Sequence, residues 1–61
     1  MEPTEEQYLV LNALDTLALL RDYRYDEDTG IFIIITLSPV LPLAILRPNG
    51  EVTLIEPVSE L

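Results

Sequence analysis

The apolar positions of this chain follow two patterns that one small domain has trouble satisfying. The first is the run Ile31-Phe32-Ile33-Ile34-Ile35-Thr36-Leu37. Successive side chains of a strand point to opposite faces, so a strand wetted on one side alternates apolar and polar residues. This run does not alternate. Ile31, Ile33 and Ile35 fall on one face, Phe32 and Ile34 on the other, and both faces call for cover.

The second pattern is helical and lies at the N-terminal end. Thr4-Glu5-Glu6-Gln7 has the form of a capping box. In it the threonine hydroxyl accepts from the backbone amide three residues on, and the glutamine side chain reaches back. Glu5 and Glu6 occupy the first turn, where the positive end of the helix dipole favours them. The spacing predicts a helix over about residues 4–22, with Arg21 in its last turn. On that helix Asn12, Asp15, Thr16 and Asp22 share a polar wedge of roughly 120°. Leu19 intrudes on the wedge, and leucine, valine and alanine fill most of the remainder. One-sided packing needs a stripe only a little over about 100° wide. Helix and strand thus each carry surplus apolar surface.

Turn chemistry orders the rest. Tyr23-Arg24-Tyr25 alternates as a short strand over 23–26, and Asp26-Glu27-Asp28-Thr29-Gly30 turns the chain into a strand over 30–37. Ser38-Pro39-Val40-Leu41-Pro42 is a stiff connector to strands over 43–47 and 51–56. Pro48-Asn49-Gly50 between them has the proline, asparagine and left-handed glycine of a three-residue hairpin loop. Pro57 should close the last strand, with a fraying tail beyond it. The expected fold is α+β, a single domain over 1–61. One N-terminal helix packs on a three- or four-stranded antiparallel meander, completed by oligomerisation.

Composition sharpens that expectation. A chain of 61 residues hides only about 60% of its unfolded surface and usually needs a staple or a partner. Cysteine and histidine are both absent, which removes disulfides, thiolate zinc sites and the usual general base near neutrality. Burial of the 49% hydrophobic residues, aided by association, must supply the stability. The net charge is −8, with Arg21, Arg24 and Arg47 as the basic side chains. So few cations cannot neutralise a row of phosphates, so direct nucleic-acid binding is not expected. The run from Ile31 to Leu46 is too short for a membrane span, is broken by Pro39 and Pro42, and has acidic flanks. The acidic N-terminus does not resemble a secretory signal, and the expected setting is the cytoplasm. A basic protein surface would be attracted, although the charge also serves plain solubility.

Candidate chemistry is sparse. Asp26-Glu27-Asp28-Thr29-Gly30 resembles a fragment of a calcium loop, but Gly30 and Leu37 stand where its further acidic ligands belong. An acidic hairpin turn is the plainer reading. Glu5 and Glu6 diverge by about 100° on a helix and serve the cap. Asp15 reads as a solvated residue, or as the mate of a partner's arginine. Tyr23, Arg24 and Tyr25 have the composition of an interface hot spot, or of an edge strand with its tyrosines packed inward. No nucleophile sits beside a base and no glycine-rich loop could hold phosphate, so no catalytic residue, cofactor or metal is expected. No motif ties the chain to a family.

The sequence therefore points to a small acidic, non-enzymatic interaction module. Self-association, most simply as a homodimer, would bury Leu9, Val10, Leu17, Tyr23, Tyr25, Phe32, Ile34 and Leu54. An acidic patch of Asp15, Asp22, Asp26, Glu27 and Asp28 would dock on a basic partner, as a regulator or inhibitor does. The alternatives are an accessory subunit or antitoxin-like binder that folds on a larger partner, and a nucleic-acid mimic.

Overall fold

The computed structural model describes residues 2–55. One helix, α1 (Glu5–Thr16), is followed by strands β1 (Leu20–Asp26), β2 (Ile31–Thr36), β3 (Leu43–Leu46) and β4 (Val52–Ile55). The strands pair antiparallel in the order β1-β2-β3-β4, a meander in which every pair is adjacent in sequence. The helix lies across one face. The expected strand residue Glu56, the stop at Pro57 and the tail beyond it lie outside the described residues.

The capping box forms as the sequence requires. The Gln7 amide donates to Thr4 Oγ1 (3.2 Å), and the Thr4 amide donates to Gln7 Oε1 (2.9 Å). Both residues also work at long range. Thr4 Oγ1 donates to the carbonyl of Pro48 (2.6 Å). Gln7 Nε2 donates to the carbonyls of Gly30 (2.7 Å) and Leu46 (3.2 Å). The Gln7 side chain is 0% exposed. A buried amide is tolerable only when its donors and acceptor are paired, and this one ties the helix start to two separate turns.

The helix ends six residues earlier than the periodicity predicts, at Thr16 rather than 22. Leu19 N–H donates to the Leu14 carbonyl (2.9 Å) and Ala18 N–H to that of Asp15 (3.0 Å), the bond pair of a Schellman stop. The left-handed position of that stop is held by Ala18, with φ 58°. Glycine is the usual residue there, so the stop carried no sequence signature. Arg21 and Asp22 accordingly sit on β1, which begins at Leu20 rather than 23, and the last helical turn holds no basic residue.

Both predicted turns are present. Gly50 (φ 89°) closes the β3–β4 hairpin, with Arg47 N–H donating to Glu51 O (2.8 Å) and Gly50 N–H to Arg47 O (2.9 Å). A Cβ on Gly50 would lie 3.2 Å from the Glu6 Cβ, so the hairpin tip fits against the first helical turn only because it is bare. At the other turn Gly30 N–H donates to Asp26 O (2.8 Å) and Asp28 N–H to Asp26 Oδ1 (2.9 Å). In the connector, Thr36 Oγ1 donates to Leu41 O, while Ser38 Oγ accepts from the amides of Val40 and Leu41.

The core is thin: Leu11, Phe32, Ile34, Ala44 and Leu46, edged by Val10, Leu14, Leu20 and Tyr25. The helix offers the sheet only the stripe Gln7, Val10, Leu11 and Leu14, which is the narrow i, i+3, i+4, i+7 face. Leu9 and Leu17 remain 62% and 66% exposed.

Two substitutions test these local devices. Ala18→Gly relieves a left-handed alanine worth roughly 1–2 kcal/mol, part of which the looser unfolded chain takes back. A net gain of about 0.5–1 kcal/mol, or a rise of about 3–6 °C in Tm, is expected by thermal unfolding. Gln7→Glu replaces the amide donors with a carboxylate facing two carbonyls and should cost on the order of 2–3 kcal/mol at neutral pH. Such an environment raises the folded-state pKa of that carboxyl. Its stability relative to the wild type should therefore be greatest below the unfolded value of about 4.3 and fall as pH climbs through the raised one. Denaturant melts at acid and neutral pH check the sign.

Candidate interaction site

Each face of the sheet has its own register of side chains. On the helix side Tyr23, Ile34, Ala44 and Leu54 stand in one row across the strands, and Tyr25, Phe32, Leu46 and Val52 in the next. The opposite face carries the rows Arg24, Ile33, Ile45, Thr53 and Asp22, Ile35, Leu43, Ile55, with Ile31 beside Asp26. The helix covers the middle of its face. Nothing among the described residues covers the other, where Ile33, Ile35, Leu43 and Ile55 are all exposed.

The structure therefore divides the residues that the sequence brings forward for an interface. Phe32 and Ile34 are 3% and 0% exposed, sealed by the chain's own helix rather than turned outward. Val10 and Tyr25 edge the same core. Leu9 on the helix and Leu17 at its C-cap are exposed, and Leu54 sits on the edge strand β4 beyond the helix's cover. Only Tyr23 flanks both faces, through the helix-side groove and a shallow depression beside Ile33 and Ile35. The uncovered isoleucines are the other half of the two-sided strand. That pattern was visible in the sequence, but which half faced outward was not.

The acidic residues are divided too. Asp22 and Asp26 lie on the outer face of β1, Glu27 and Asp28 at the turn, and Asp15 on the helix side. Arg47 pairs with Glu51 (3.4 Å) and donates to Thr53 Oγ1. Among the described residues no three carboxylates converge as a metal site would need, and no helix is long and apolar enough to cross a membrane.

On the helix side a groove of about 440 Å³ opens between α1 and β1. Leu11 and Phe32 form its floor, Tyr8 and Asp15 one wall, Tyr23 and Tyr25 the other. A bulge in β1 makes that wall. The register shifts between Leu20 and Asp22, so Leu20, Tyr23 and Tyr25 all turn inward, which strict alternation from Leu20 would forbid. The tyrosine rings are held on Phe32, Tyr23 edge-on with centroids 5.7 Å apart and Tyr25 tilted at 4.8 Å. The Tyr25 hydroxyl is shut from water and has no hydrogen-bond partner among the described residues. Loss of water raises its pKa above the ordinary 10.0, and the charge of Glu27, then Tyr8, Glu2 and Asp26, pushes the same way.

Comparison with family models, with curated proteins and with solved structures gives no match. Fold and side-chain placement carry the functional reading.

Alkaline titration tests the buried phenol. A folded-state pKa above the unfolded one means that stability is complete below about pH 10 and is lost as pH rises through the raised value. Absorbance titration should show a late tyrosine phase that Tyr25→Phe removes. A late phase that survives this substitution would place the raised group elsewhere.

Proposed function

We propose that this chain is a non-enzymatic interaction module that self-associates through the outer face of its sheet and presents acidic flanks to a basic protein partner. The carrying observation is the row-by-row apolar surface of Ile31, Ile33, Ile35, Leu43, Ile45 and Ile55, for which the described residues supply no second layer. Contiguous apolar surface on a small domain marks a place where something docks. Two sheets packed face to face bury such rows together, as in sandwich proteins.

A second copy suits this face because it carries both charge signs at one border. Arg24 lies between Asp22 and Asp26 on β1, so a twofold-related copy can set an arginine against an aspartate. The size suits a reversible contact. Four strands of about five residues project roughly 19 Å by 17 Å, about 320 Å² per copy, which is below the standard interface size and in the range of weak, transient contacts. Dissociation in the micromolar range is the corresponding expectation.

The exposed Leu9 on the helix and Leu17 at its C-cap favour a second reading, because sheet-to-sheet pairing leaves them bare. In it the chain is an accessory subunit or antitoxin-like binder of a larger protein. Nucleic-acid mimicry gains no such support, since Asp15 is separated from Asp22 and Asp26 by the sheet and they form no single row.

Light scattering over a dilution series separates the readings. A dimer that dissociates toward micromolar concentrations, and that Ile33→Thr with Ile35→Thr converts to a folded monomer, is the expected result. A wild-type chain that stays a dispersed monomer at millimolar concentration would overturn self-association and favour the hetero-partner.

A further inference from the structure

We infer that the groove between α1 and β1 is a receptor for an arginine side chain of a basic partner, stacked on Tyr8 and Tyr23, paired with Asp15 and donating to the Tyr25 hydroxyl. The inference deepens the basic-partner part of the proposed function and does not depend on self-association. Three observations meet in this groove. Tyr8 and Tyr23 are each about half exposed and flank it from opposite elements. Asp15 contributes a carboxylate to the same wall as Tyr8, two helical turns further on. The Tyr25 hydroxyl is a buried polar group with no hydrogen-bond partner among the described residues, which native structures rarely leave without a reason.

The chemistry selects the occupant. The charges that act on the phenol, those of Glu27, Glu2 and Asp26, are all negative, so an incoming donor should be cationic. A guanidinium is flat, weakly hydrated and rich in donors, and so can stack on a ring and hydrogen-bond at its edge together. An ammonium is compact and strongly hydrated and would gain less there. The Tyr8 side chain is half exposed at the groove's edge, where a change of rotamer is fast.

The test is a titration of the full chain by amide NMR with two peptides, one holding three arginines spaced by glycine and serine, the other its lysine counterpart. Shifts centred on Tyr8, Asp15, Tyr23 and Tyr25, with arginine about threefold to fivefold tighter than lysine, are expected. Tyr25→Phe should weaken the arginine peptide about fivefold or more while leaving Tm equal or higher, because it removes an unpaired hydroxyl. A purely structural role for Tyr25 would move Tm and not the arginine preference. Equal affinity for the two peptides, shifts spread over Glu27, Asp28 and Glu51, or unchanged binding by Tyr25→Phe would each overturn the inference. Repeating the titration on the Ile33→Thr, Ile35→Thr chain keeps a failure of assembly distinct from a failure of the groove.

Discussion

The Gln7 carboxamide is the interaction on which the arrangement of helix and sheet depends. The helix touches the sheet through a narrow stripe, and among the described residues five apolar side chains form the buried cluster. Apolar contact alone is non-directional and would let so short a helix slide or swivel. Two hydrogen bonds donated by one fully buried side chain prevent this, because they fix the helix start against the β1–β2 turn and the end of β3 at once. Thr4 adds a third tether at Pro48. The bare Gly50 lets that hairpin approach closely enough for the bonds to form.

This anchoring decides which surfaces are left over. Pinned at its N-terminal end, α1 lies over the centre of β2 and β3, and its early stop returns the chain at once into β1. The tyrosines of β1 and Leu54 of β4 fall on either side of it, and one whole sheet face lies outside its reach. Small size is the underlying constraint. A four-stranded sheet has two faces and this chain supplies one helix.

Much of this was legible in the sequence where the signal is local. Thr4 to Gln7 marked the helix start, Pro48-Asn49-Gly50 the hairpin, and the unbroken apolar run from Ile31 a strand with two greasy faces. The helix end was not legible, since Ala18 occupies a position that glycine normally marks. The tertiary role of Gln7 was hidden behind its local one. Capping already accounts for a glutamine there, and carbonyls 23 and 39 residues away leave no trace in the pattern. The groove was hidden for a similar reason. Tyr8 and Asp15 share a helix face by spacing alone, but only the β1 bulge aims Tyr23 and Tyr25 at them.

The same glutamine sets an order of events during folding. Each strand pairs with its neighbour in sequence, so the sheet assembles by short loop closures, which are fast. The helix is the first element in the chain, yet its anchor requires the Gly30 turn and the end of β3 to be in place already. Its docking is complete only when both carbonyls are in place. Until it docks, the isoleucine-rich strand is bare on both sides, and in that interval the chain is most prone to pair with the wrong neighbour.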